Sequence, residues 1–137
     1  MGNEVATKKD LEIPLFMVPV EAGFPSPADD YLEGKLDLNE YLIKHPAATI
    51  FVKAPDDSMI KAGIFSGDIL IVDRSITPSH KKVVVALING VFSVRRISKI
   101  KGKVFLVPEN ENYKPIQVDP EMDCEIWGVV TNVIHPF

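Results

Sequence analysis

One serine in this chain sits where chemistry is conceivable. An apolar run, Ile50-Phe51-Val52, feeds a polar turn, Pro55-Asp56-Asp57, which ends in Ser58 followed by the apolar pair Met59-Ile60. A serine at such a strand-to-turn corner can expose its hydroxyl beside free backbone N–H groups of the Asp57-Ser58-Met59 turn. Those groups are the donor set of an oxyanion hole. Taken alone, a serine in this setting is more often an ordinary turn residue than a nucleophile. The other chemistry-bearing side chains are less suggestive. His45, His80 and His135 lie far apart, without metal-ligand spacing, and read as turn and surface histidines. Cys124 lies between Asp123 and Glu125, whose charges raise a thiol pKa, which argues against a reactive cysteine. Trp127, within Glu125-Ile126-Trp127-Gly128-Val129-Val130, reads as core. The chain has neither a phosphate-binding P-loop nor a dinucleotide glycine fingerprint, so no cofactor and no metal are expected.

The elements that must position Ser58 divide the chain in two. Residues 1–46 read as an N-terminal arm with short helices. Residues 47–137 read as a β-rich core. Pro14, Pro19, Pro25 and Pro27 space the stretch from Leu11 to Pro27, which forbids a helix interior and favours an extended arm. Ser26-Pro27 reads as a cap and first helical residue, which predicts a short helix from Pro27 to Glu33 that stops at Gly34. Asp37, with Glu40 three residues on, predicts a second short helix ending before His45-Pro46, its buried face formed by Leu38, Tyr41 and Leu42. From Thr49 the period changes. Strands are expected at 49–53, 69–73, 83–88, 91–97, 104–107 and 125–134, with Asn89-Gly90 as a two-residue hairpin turn. The fold class is mainly β, a compact domain of short strands.

Composition narrows the function classes. The chain has 137 residues, 46% of them hydrophobic and 25% charged, enough for a core without disulfide staples. Cys124 is the single cysteine, which excludes an internal disulfide framework. No apolar run approaches the roughly 18 to 20 residues of a membrane helix, and Met1 to Asp10 does not read as a signal peptide. A cytoplasmic protein without membrane attachment is expected. The net charge of −4 disfavours a protein that grips DNA by neutralising phosphates.

Several ordered segments resemble one family. Ala22-Gly23-Phe24-Pro25-Ser26-Pro27 is similar to the cleavage-site arm of the LexA-like self-cleaving Ser-Lys peptidases, in their short UmuD branch. Asp37-Leu38-Asn39, Leu42-Ile43 and His45-Pro46 resemble its second segment, and Phe51-Val52-Lys53-Ala54 with Asp57-Ser58-Met59-Ile60 its nucleophile region. Gly67 to Asp73, Ile76-Thr77, Ser79-His80 and the Asn89-Gly90 hairpin with Phe92 and Val94 also match. The resemblance implies a LexA-like peptidase core, Ser58 as nucleophile and the Ala22–Gly23 bond as the self-cleavage site. It also implies a homodimer, stimulation of cleavage by a RecA filament on single-stranded DNA, and a trimmed form that serves a UmuC-type subunit of translesion polymerase V in the response to DNA damage. The family's general base is a lysine on the strand after the hairpin, kept partly neutral by burial.

That position holds Arg95, and a one-residue slip gives Arg96. Arginine stays protonated and has no acceptor, so it cannot take the serine proton. Loss of a general base costs about two to four orders of magnitude in rate. Lys99 lies four residues on, roughly 13 Å along an extended strand, and is a poor substitute. Asp56 stands where the family has a glycine, and Lys81-Lys82 replaces a Gly-Asp pair. The expectation is a chain that self-cleaves very slowly or not at all. The rival reading is a non-catalytic dimeric scaffold of the same fold. A LexA-type repressor would need a DNA-binding helical segment before the cleavage bond, and the 22 residues ahead of Gly23 do not read as one. A signal-peptidase relative would need a membrane anchor.

Overall fold

The computed structural model describes residues 11–17 and 32–137. The chain forms two compact units, Met1–Lys44 and His45–Phe137.

In the first unit, β1 (Ile13–Phe16) and β2 (Leu32–Leu36) form an antiparallel ribbon, Ile13 opposite Leu36 and Leu15 opposite Gly34. This corrects the expected helix over Pro27 to Glu33. Leu32 and Glu33 are extended, and residues 27–31 lie outside the described residues. Gly34 is not a helix stop; it sits mid-strand at φ 135°, a conformation open to glycine and strained for other residues. The ladder to β1 supplies the backbone partners that a helix would have supplied. The second helix, α1, runs over Leu38–Leu42, with the Asp37 carboxylate accepting from the Asn39 N–H at 2.9 Å as its N-cap. Its expected buried face is not buried, since Leu38 and Tyr41 are 57% and 58% exposed. A helix of five residues is too short to carry a wide apolar stripe. Leu38 instead lines a shallow apolar hollow with Leu11, Ile13, Leu15 and Leu36.

The second unit is a seven-stranded antiparallel sheet, which bears out the mainly β class. Its strands are β3 (Thr49–Lys53), β4 (Ile69–Asp73), β5 (Val83–Ile88), β6 (Val91–Ile100), β7 (Lys103–Val107), β8 (Ile116–Gln117) and β9 (Cys124–Ile134), in the order β3-β4-β9-β5-β6-β7-β8. The expected strands are all present. β6 runs three residues further than its pattern suggested, and β8, only two residues long, was not anticipated. Asn89 and Gly90 make the β5–β6 turn with φ 50° and 82°, the pair of positive angles such a hairpin needs.

Strands buried on both faces hold the sheet together. Along β5, Val85 joins a cluster with Met59, Leu70, Val72 and Val94, while Val84, Ala86 and Ile88 join another with Ile97, Leu106 and Val129. Each such aliphatic side chain contributes about 1.5–3 kcal/mol when fully buried. The late strand β9 lies between β4 and β5 and carries an irregularity in its pairing with each. At Gly128 the neighbouring chain comes so close that an added Cβ would stand 2.7 Å from a Val72 methyl and 3.1 Å from the Asp73 carbonyl oxygen.

Two buried aspartates flank β4, and each pairs with a histidine at an end of this unit. His45 Nδ1 is 2.5 Å from the Asp73 carboxylate, and His135 Nδ1 is 2.6 Å from that of Asp68. The His45 hydrogen bond, with those of the Ser75 hydroxyl and N–H, holds the Asp73 carboxyl down to about 2 against the effect of its burial. Burial pushes Asp68 up, but the bonds from His135 and the Phe65 N–H hold it below the usual carboxylate range.

Gly128→Ala is expected to cost about 1–3 kcal/mol through overpacking, read as a lowered urea midpoint with an unchanged slope. Because the Asp73 pKa falls from 3.8 to about 2 on folding, its contribution is complete above about pH 4 and is lost as pH falls towards 2. Urea midpoints measured across that interval should fall for the native chain and change less for Asp73→Asn, which starts from a lower stability at neutral pH.

Candidate active site

The turn that carries Ser58 is seated by its neighbour. Met59, 1% exposed, plugs into the cluster that holds Val85 and Val94, so the turn after β3 is pressed onto β6. Met59 opens a one-turn 3-10 helix, Ile60–Ala62, closed by Gly63. Backbone bonds fasten the turn from the far side. The Glu109 N–H donates to the Ser58 carbonyl at 2.8 Å, the Lys61 N–H donates to the Glu109 carbonyl at 3.0 Å, and the Asn110 side-chain amide donates to the Asp57 carbonyl at 2.8 Å. Arg96 holds Glu109 by an ion pair at 2.6 Å and donates to the Lys81 carbonyl at 2.7 Å. Lys81 adopts φ 75°, a left-handed backbone conformation that favours glycine.

This scaffold brings Ser58 and Arg95 together. The guanidinium Nη1 of Arg95 donates to Ser58 Oγ at 2.6 Å and to the Val94 carbonyl at 2.8 Å. The Ser58 hydroxyl in turn donates to the Val94 carbonyl at 3.2 Å. Both residues are buried, Ser58 at 1% and Arg95 at 6% exposure. The proton of Ser58 therefore points at a backbone carbonyl, which cannot carry it away, and its oxygen faces a cation. Among the described residues, the groups bonded to the Ser58 hydroxyl are a guanidinium and a backbone carbonyl, neither of them a base. The Arg95 Nε–H is buried with no hydrogen-bond partner among the described residues, and the guanidinium lies 5.5 Å from the Tyr113 ring centre. Burial lowers the Arg95 pKa from its ordinary value, opposed by the charge of Asp56 and by Tyr113.

The flanking positions are also defined. Asp57 is exposed and its carboxylate accepts from the Ser66 N–H at 2.9 Å, while Met59 is the apolar anchor. The Ser58 N–H, the natural oxyanion donor, is bonded to Asp56 Oδ1 at 2.9 Å. Ala22 and Gly23 lie outside the described residues. Lys99 is exposed on β6, with its N–H donating to His80 Nδ1 at 2.9 Å. The sequence reading had no way to reach Asn110, Tyr113 or the Val94 carbonyl, which lie 36 or more residues from the serine in the chain. The aspartate cap was readable in principle, since an Asp two residues before a backbone N–H is the signature of a side-chain-capped turn. Away from this turn, burial and then the charge of Asp123 raise the Cys124 thiol pKa. Trp127 packs against the core edge-on to Phe92, with Arg74 over its ring. Among the described residues no group of His, Cys, Asp and Glu is placed to hold a metal ion, and no helix is long and apolar enough to cross a membrane.

Comparison with known proteins agrees with this architecture. A family model described as Peptidase S24-like matches residues 14–131. Protein ImpA of Escherichia coli is 47% identical over 122 residues, covering 89% of this chain and 83% of that protein. Protein MucA of Salmonella typhimurium is 42% identical over 127 residues, covering 90% and 86%. The LexA repressor of Clostridium perfringens is 33% identical over 137 residues, the whole of this chain but 64% of the repressor. On a family match that spans the serine turn and the sheet that seats it, and on relatives alike over most of their length, the chain belongs to the S24-like peptidase family, in its UmuD-like branch.

Proposed function

We propose that this chain is a UmuD-like protein of the SOS response to DNA damage whose self-cleavage at Ala22–Gly23 is blocked, so that it acts mainly in its uncut form. The observation that carries this reading is the hydrogen bond from the Arg95 guanidinium to Ser58 Oγ at 2.6 Å. In the self-cleaving scheme the arm enters the cleft of its own or a partner's core, which places the Ala22 carbonyl beside Ser58 at high effective concentration. Ser58 Oγ would add to that carbonyl carbon while a base takes the hydroxyl proton; the Ala22–Gly23 bond would break as that proton passes to the Gly23 nitrogen, and water would then hydrolyse the Ala22 ester on Ser58. Arginine at position 95 removes the base and leaves the nucleophile and the cleavage bond in the chain. The partners of the reading are a second copy of the chain, a RecA filament on single-stranded DNA and a UmuC-type DNA polymerase, in the cytoplasm.

The same hydrogen bond favours a second reading, in which the fold serves only as a dimeric interaction scaffold. The two differ in what remains latent in the site. Incubation with RecA filament, or at alkaline pH, should leave the native chain intact by mass. At alkaline pH, Arg95→Lys should yield a fragment beginning at Gly23, 115 residues long by subtraction of 22 from 137, and Ser58→Ala added to it should abolish that fragment. Efficient conversion of the native chain would overturn the proposal. An Arg95→Lys chain that folds and pairs with the polymerase yet never cleaves would favour the scaffold.

A further inference from the structure

A second block lies beside the first. The Ser58 N–H donates to Asp56 Oδ1 at 2.9 Å, and the half-buried Asp56 carboxylate acts on the Arg95 charge as well. When a serine oxygen adds to a carbonyl, the carbonyl electron pair moves onto its oxygen, and donors at about 2.7–3.1 Å must meet that charge. The nucleophile's own N–H is the nearest such donor. Here it is already bonded to an anion, and the same anion would repel a developing oxyanion.

We infer that Asp56 is a positioning residue that closes the oxyanion side of this site, a block separate from Arg95 and acting on a different step. This rests on the self-cleavage reading above and deepens it. Arg95 removes the proton acceptor, whereas Asp56 occupies the donor that would stabilise the adduct. Asp56 has a further consequence once arginine is exchanged for lysine. Among the described residues, the titratable groups facing position 95 are Asp56, from the serine turn, and Tyr113, from the segment after β7. A carboxylate beside an amine favours its protonated form, so Asp56 would hold an introduced amine in the charged state that cannot act as a base. The two positions are coupled, and restoring the lysine alone reopens half of the site.

The test compares Arg95→Lys, Arg95→Lys with Asp56→Gly, and Arg95→Lys with Asp56→Asn, each full length, by the first-order rate of appearance of the Gly23 fragment from pH 6 to pH 10. Asparagine keeps an oxygen that can accept from Ser58 N–H but carries no charge, so it separates capping from electrostatics and retains the turn if glycine loosens it. The expected result is slow cleavage confined to alkaline pH for Arg95→Lys alone. With Asp56→Asn the pH profile should move towards neutrality with a modest gain in plateau rate. With Asp56→Gly it should also move, and the plateau should rise by about 10²-fold or more, the usual cost of one lost oxyanion donor. Equal rates and identical pH profiles in all three would overturn the role of Asp56 and leave the self-cleavage reading standing. Absence of the fragment from all three at every pH would overturn both.

Discussion

The arrangement turns on one buried contact, in which the Arg95 guanidinium donates to Ser58 Oγ while both share the Val94 carbonyl. A buried cation is costly unless its protons are used, and here the serine oxygen and a strand carbonyl use those of Nη1, while Nε has no partner among the described residues. The cost falls on the elements around it. Met59 must fill the cluster on β5 and β6 to hold the turn down, and the Glu109 and Asn110 backbone and side chain must hold it from the other side. The contact holds the hydroxyl in place, and fixing a nucleophile and activating it are separate requirements.

The charges around the serine are consistent with one another. Arginine brings a positive charge that cannot be given up, and Asp56 places a negative one against both that charge and the serine N–H. A glycine in place of Asp56 would leave the N–H unbonded by this carboxylate, and a lysine in place of Arg95 would leave a group able to lose its proton. Arg95 and Asp56 thus set opposite charges against the Ser58 hydroxyl and the Ser58 N–H. Elsewhere two buried aspartates, Asp68 and Asp73 at the two ends of β4, are paired to His135 and His45.

Much of the core was legible before the structure, because short apolar runs bounded by turn residues and the Asn89-Gly90 turn are local signals. The arm was less so. Ser26-Pro27 and Gly34 carry helix start and stop chemistry, yet residues from Leu32 onward pair with Ile13–Phe16. A ladder partner some twenty residues away outweighs a propensity worth a few tenths of a kcal/mol per residue. The short strand Ile116–Gln117 escaped for the opposite reason: two residues carry no pattern, and only the edge of β7 makes them a strand.

The sequence by itself offered Ser58 in a polar turn after an apolar strand and an aspartate two residues before it, and only the resemblance to the peptidase family set Arg95 against the position of a base. The first two depend on residue type and short spacing, and the inability of arginine to accept a proton is intrinsic to the side chain. Tertiary structure alone decided that Ser58 and Arg95 touch, that the serine proton points at Val94, that Tyr113 lies over the guanidinium, and that the Asp56 carboxylate occupies the Ser58 N–H. Three of those contacts join residues brought side by side by sheet pairing and the seating of Met59. The fourth depends on a side-chain rotamer. Hydrogen bonds of this kind are set by ångström-scale geometry across the fold, which neither composition nor spacing along the chain encodes.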